Sequence, residues 1–276
     1  ITRLYGQTGF QELAGSGVTN LYNVEFNNDK TQYSFHLMNN ITIYGKADFQ
    51  NGIIDNVNYP GNLIFENSAS VENADHVSHV SGTVIKKGNK DFTFPVGDGG
   101  KYRLASISAP NAVTDRYSAR YHFKNPNGDY PLASKVYGIQ EINNKEYWEI
   151  NKEKGDSPVI LTLSWDFSTS PDFITSNTEE IFIVRWNPVK KSWDFMDSAV
   201  DLSKQEVATI LPTLDYGIFT LAIVDKEVVK EHKFVKGISP NGDGINDFLR
   251  LDFLDGNPNN TVSIFNRWGA KVYETS

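Results

Sequence analysis

A four-residue run returns almost unchanged 22 positions on: Asn40-Ile41-Thr42-Ile43 aligns with Asn62-Leu63-Ile64-Phe65. At the same offset Ala47 meets Ala69, Phe49 meets Val71 and Asn51 meets Asn73, and a third copy is suggested around Leu21 to Phe26. Each unit alternates apolar and polar residues, then crosses Asn, Ser and Asp positions that suit turns. A strand pattern of this length cannot bury its apolar face alone, but it can do so by stacking on a neighbour of the same kind. A short β-solenoid and a β-meander both satisfy the pattern.

From Ser78 to Ser106 the repeat gives way to Phe92-Thr93-Phe94, a short strand, followed by Pro95 and the glycines Gly97, Gly99 and Gly100. Pro95 lacks a backbone donor and suits a strand end, and the glycines allow sharp turns. No Gly-Lys-Ser/Thr follows, which excludes a phosphate-binding loop. Residues Tyr102 to Asp225 then carry seven candidate strands: Tyr117 to Phe123, Glu146 to Ile150, Val159 to Trp165, Glu180 to Trp186, Ser192 to Met196, Val207 to Leu211 and Gly217 to Ile223. In the third, Val159, Leu161, Leu163 and Trp165 share one face. Short strands at regular spacing predict an Ig-like or jelly-roll β-sandwich. A short helix is the alternative for Asp201 to Val207. The chain is thus expected to be all-β in three parts: a solenoid-like region at 1–92, a sandwich at 93–227 and a small partial β-sandwich at 228–276.

Charge and composition exclude several functions. The formal net charge of −8 argues against nucleic acid, which requires a basic footprint. With 0 Cys there is no disulfide framework, thiol nucleophile or cysteine metal site. No apolar run approaches the ~20 residues needed for a helix to span a bilayer. Residues 228–276 are formally neutral, so the net charge sits upstream.

The C-terminal part carries two long motifs. The first is Ile238-Ser239-Pro240-Asn241-Gly242-Asp243-Gly244-Ile245-Asn246-Asp247, a cluster of turn formers. The second is Ile264-Phe265-Asn266-Arg267-Trp268-Gly269-Ala270-Lys271-Val272-Tyr273-Glu274, which reads as strand, corner and strand. A third strand, Phe248 to Phe253, lies between them, with Leu249, Leu251 and Phe253 on one face expected to pack against Val262 and Ile264. In this order and spacing the motifs resemble the gliding-motility-associated C-terminal domain of Bacteroidetes surface proteins, the type B sorting domain of the type IX secretion system.

The resemblance implies export across the outer membrane to the cell surface. It also implies recognition by the type IX translocon, and a PorP/SprF-type outer-membrane barrel as the retaining partner. Its sorting-motif residues carry over as Pro240, Asn241, Gly242, Asp243, Gly244, Asn246, Asp247, Phe265, Asn266, Arg267, Trp268 and Gly269. The family pattern continues beyond the tyrosine strand, and Ile1-Thr2-Arg3-Leu4 does not read as a signal peptide. The chain is therefore expected to be the C-terminal part of a larger non-enzymatic protein, a stalk or adhesin. The alternative is the non-catalytic, glycan-binding tail of a secreted polysaccharide-degrading enzyme.

Three side-chain sets could carry chemistry. His76 and His79 lie three apart beside Asp75, but on a strand they face opposite ways, so surface histidines are expected there, not a zinc site. Trp148, Trp165, Trp186 and Trp193 could stack on surface glycans, although buried aromatics commonly fill sandwich cores. Asn241, Asp243 and Asp247 have the odd spacing of a calcium loop, against an Asx turn as the simpler reading; Asp252 stands where an EF-hand has its closing Glu. No nucleophile elbow and no marked carboxylate pair is present, so no catalytic residue is expected.

Overall fold

The computed structural model describes residues 1–6, 9–225, 228, 261–265 and 271–275. They divide into two compact units, Ile1–Val224 and Asp225–Ser276. The first unit begins with four coils of three strands each. The first coil is β1 (Thr2–Tyr5), β2 (Gln11–Leu13) and β3 (Thr19–Leu21), and the second β4 (Val24–Asn27), β5 (Tyr33–Leu37) and β6 (Ile41–Ile43). The third is β7 (Lys46–Asn51), β8 (Ile53–Asp55) and β9 (Leu63–Phe65), and the fourth β10 (Ser70–Glu72), β11 (Val80–Ser81) and β12 (Val84–Lys87).

Each strand pairs in parallel with its counterpart in the next coil, giving three sheets. A meander would pair them antiparallel, so the repeat is a β-solenoid. On the third face Thr19, Ile41, Leu63 and Val84 stand in one column, spaced 22, 22 and 21 residues apart. On the first face the sequence alignment slips. Ala47 pairs with Val71, not Ala69, because four residues, Glu66 to Ala69, turn the corner before β10 where two, Tyr44 and Gly45, suffice before β7. Inward columns are apolar and buried, for example Phe26 over Phe49 and Ile43 over Phe65.

Thirteen further strands complete the first unit: β13 (Phe92–Phe94), β14 (Val96–Asp98), β15 (Lys101–Tyr102), β16 (Ala105–Ile107), β17 (Arg116–His122), β18 (Ile139–Ile142), β19 (Tyr147–Lys154), β20 (Leu161–Ser164), β21 (Ile181–Asn187), β22 (Ser192–Met196), β23 (Ser198–Asp201), β24 (Glu206–Thr209) and β25 (Gly217–Val224). The third face of the solenoid runs straight into an antiparallel sheet. β12 pairs in parallel with β9 on one side and antiparallel with β17 on the other, and the order continues through β19, β25, β21 and β22. A second antiparallel sheet has the order β13-β16-β20-β24-β23. Inward residues of both sheets and of the coils join one core, including Val159, Leu161, Leu163 and Trp165 as the alternation predicts.

The seven candidate strands are present with ends shifted by a few residues. β18 and β23 were not expected, since each spans only four residues and neither alternates over a useful length. Asp201 to Val207 does not form a helix: residues 202–205 turn between β23 and β24, with Gln205 at φ 57°. A short α-helix, α1 (Asp172–Ser176), follows Pro171.

Candidate functional site

In the second unit β26 (Val262–Phe265) and β27 (Lys271–Thr275) form an antiparallel pair. Val262 lies opposite Thr275 and Ile264 opposite Tyr273, with a register shift between Ile264 and Phe265. Val262 and Ile264 are half-buried while Ser263 is exposed, as a period of two requires. On the other side Ser263 Oγ donates to Glu274 Oε2 at 2.9 Å, and Lys271 Nζ pairs with the same carboxylate. Lys271 first, and then the Ser263 hydroxyl, hold the Glu274 carboxyl below its ordinary range. Val272 and Tyr273 are exposed. The rest of the sorting-motif set, Pro240, Asn241, Gly242, Asp243, Gly244, Asn246, Asp247, Asn266, Arg267, Trp268 and Gly269, lies outside the described residues. So do the Phe248 to Phe253 strand and the calcium candidates Asn241, Asp243 and Asp247.

In the first unit the histidines do not gather. His79 is buried, not at the surface as expected; its Nδ1 lies 2.9 Å from the Asp75 carbonyl oxygen, and burial lowers its pKa. His76 is exposed and its Nδ1 accepts from the Tyr102 amide at 3.0 Å. His36 is stacked between Phe10 and Tyr59, each 4.3 Å away. Among the described residues no group of three or more His, Asp and Glu is placed to hold a metal ion.

Sequence reasoning did not find the most heavily bonded charge. Glu146 is fully buried, and one of its oxygens accepts from Arg103 Nε at 2.9 Å and Tyr121 Oη at 2.5 Å. The other accepts from Ser170 Oγ at 2.7 Å and Asn143 Nδ2 at 3.1 Å. Burial, then the Glu146 charge, pushes the Tyr121 hydroxyl far above its ordinary range. Four donors leave the carboxylate no free lone pair for general-base work, so the network fastens the segment after β15 to β17, to the turn before β19 and to the loop before α1.

Of the four tryptophans in the first unit, three are core residues: Trp148, Trp165 and Trp193 are buried. Trp193 lies under the 130–136 segment, its backbone bonded to Ser134 and Val136 and its Nε1 donating to the Tyr130 carbonyl at 3.4 Å. Trp186 is half-buried in an edge-to-face contact with Trp193, and Tyr130 packs beside both.

The comparisons bear on the second unit alone. Residues 232–276 match the family model of the CHU_C type IX secretion signal domain. That span holds both C-terminal motifs and the β26–β27 pair. No curated protein and no solved structure matches the chain. Residues 232–276 are therefore a CHU_C domain, the gliding-motility-associated type B sorting signal, which indicates secretion by the type IX system across the outer membrane to the cell surface or the extracellular space.

Proposed function

We propose that the chain is a non-enzymatic surface element, a stalk or adhesin part, exported by its sorting domain and held at the surface by an outer-membrane barrel of the PorP/SprF kind. The observation that carries this reading is the join at β12. One strand belongs to the last solenoid coil and to the first antiparallel sheet, so force or position at one end reaches the other through a hydrogen-bonded ladder. We read the two antiparallel sheets as an Ig-like or jelly-roll sandwich, a form that cell-surface modules commonly take. Their inner faces are filled by side chains such as Trp148, Trp165 and Phe219, which supports a spacer over an enzyme.

The glycan-binding alternative draws on Trp186 and Tyr130, the partly exposed members of the aromatic cluster. Of the four tryptophans that prompted it, three are buried, so it has the weaker support. Cell fractionation tests the favoured reading. In a secreting strain the protein should stay with intact cells and be cut by added protease, and loss of the barrel partner should release it to the medium. Retention unchanged without any such barrel would overturn the partner assignment. Turnover of a polysaccharide that survives repurification and is lost on changing one carboxylate would overturn the non-enzymatic one.

A further inference from the structure

Both histidines of the loop between β10 and β11 touch the same hairpin. β14 and β15 form it, and β15 ends the second solenoid sheet, whose order is β15-β14-β11-β8-β5-β2. Asp75 shapes the loop by accepting the amides of Val77 and Ser78 on Oδ1, each at 2.9 Å. The His79 ring lies on Gly97 of β14, so close that a Cβ there would fall 2.4 Å from its Cδ2. His76 Nδ1 takes the Tyr102 amide of β15. One loop thus holds the hairpin at two places through two imidazoles.

Each contact requires a neutral ring, for a different reason. A carbonyl oxygen can only accept, so His79 Nδ1 carries a proton and donates it to the Asp75 carbonyl. Its Nε2 then holds a lone pair, and that buried atom has no hydrogen-bond partner among the described residues. A proton added there is a buried charge with nothing to receive its bond, which is costly. His76 is the reverse. Its Nδ1 holds the lone pair that the Tyr102 amide needs, and the ring proton sits on Nε2, 3.8 Å from Asp166 Oδ2. A second proton must go to Nδ1, and the amide bond is lost. Asp75 and His76 of its own loop and Asp98 of β14 face His79, and burial outweighs the two carboxylates to hold its pKa low. Asp166 faces His76, and Arg103 Nη1 lies 4.0 Å from the same carboxylate oxygen. The Lys101 ammonium lies over the Phe123 ring, 4.3 Å from its centre, and burial pushes the Tyr102 hydroxyl up to about 12.

We propose that the 75–79 loop is an acid-sensitive latch on the β14–β15 hairpin, closed while both rings are neutral and released when they take up protons. Release lets the His79 ring reach water and frees His76 to pair with Asp166. It parts β15 from β14 and bares the outer edge of β14, and a bared edge is a place where another strand can pair. The coils themselves stay folded, because their corners are tied by asparagine side chains that do not titrate. Asn23 Oδ1 accepts from the Lys46 amide and Asn40 Oδ1 from the Asn62 amide, each at 2.8 Å. The device lies within the first unit and stands or falls separately from the export and stalk readings.

Amide exchange on the full chain tests the latch, expressed as protection factors so that the intrinsic pH dependence of exchange drops out. The reporters are the amides of Tyr102, bonded to His76, and Arg103, bonded to the Val96 carbonyl; Ile41, bonded to the Asn62 carbonyl on the third face, is the control. From about pH 7.5 to about pH 5.5, opening at the reporters should rise about tenfold relative to the control. That is the factor an ordinary histidine pKa of about 6.5 gives when only the open form takes the proton. His79→Gln, which cannot take up that proton, should abolish the rise. Imidazole nitrogen shifts of the unmodified chain at neutral pH need no variant: His79 should carry its proton on Nδ1 and His76 on Nε2. An equal pH response at Tyr102, Arg103 and Ile41 would overturn the latch, and so would the opposite tautomer in either ring, even if His79→Gln failed to fold. A rise that persists unchanged in folded His79→Gln would overturn it as well.

Discussion

Lys86 occupies an inward position, paired in register with the buried Phe65, where the coil pattern calls for an apolar side chain. Its ammonium donates to the carbonyls of Glu66 and Asn67 at 2.8 Å each and to that of Ala69 at 3.4 Å, and lies 4.8 Å from the Phe92 ring centre. It thereby ties down the wide corner that shifts the first-face register. Burial lowers its pKa to about 8. Replacing it in Lys86→Met keeps the stem but removes its three donations to backbone carbonyls, at a cost of about 1–3 kcal/mol, readable as a lower urea midpoint. His79 makes a pH prediction. Its folded-state pKa lies below the ordinary 6.5, so on acidification the unfolded chain takes up the proton first and stability falls as pH drops through that value. The native chain should lose more stability than His79→Gln between about pH 7.5 and about pH 5.5; parallel losses would contradict the assignment. Neither residue was legible in the sequence. Lys86 looks like its half-buried neighbour Lys87, and His79 sits in a turn-rich stretch, because burial here is decided by which corner lies beneath.

At the scale of elements, the hairpin joining β21 and β22 turns through Lys191 at φ 53°, in the left-handed region. An L side chain there costs about 1–2 kcal/mol, partly offset in Gly by unfolded-state entropy. Lys191→Gly should therefore raise the thermal midpoint slightly and Lys191→Val should lower it; the reverse order would show that the loop relaxes on substitution. Asn187-Pro188, a pair that favours turn initiation, marks this turn in the sequence, and most strands were foreseeable from alternation, as with Val159, Leu161, Leu163 and Trp165. β18 and β23 escaped because four residues carry too little period to see. The third-face repeat was legible from Ile41 to Leu63, but its members Thr19 and Val84 were not read as copies. The first-face continuation was not, since a corner can take two extra residues without disturbing the alternation on either side. In the candidate site the sequence showed the strand pair and its alternation at Val262, Ser263 and Ile264.

At the scale of the molecule, the ladder through β12 predicts that residues 1–224 unfold together. Calorimetry should give one transition for this unit, with calorimetric and van't Hoff enthalpies equal. Two separable transitions within it would mean that the solenoid and the antiparallel sheets melt apart despite the shared strand. The export function rests on the other unit, whose family match spans residues 232–276. Its most direct test is delivery of the protein itself in a type IX-secreting strain, with and without that span, followed by immunodetection on intact cells and in the medium. The account predicts that the protein with the span reaches the outside, and that deletion of residues 232–276 leaves it within the cell envelope. Efficient appearance of the deleted form at the surface or in the medium would contradict it.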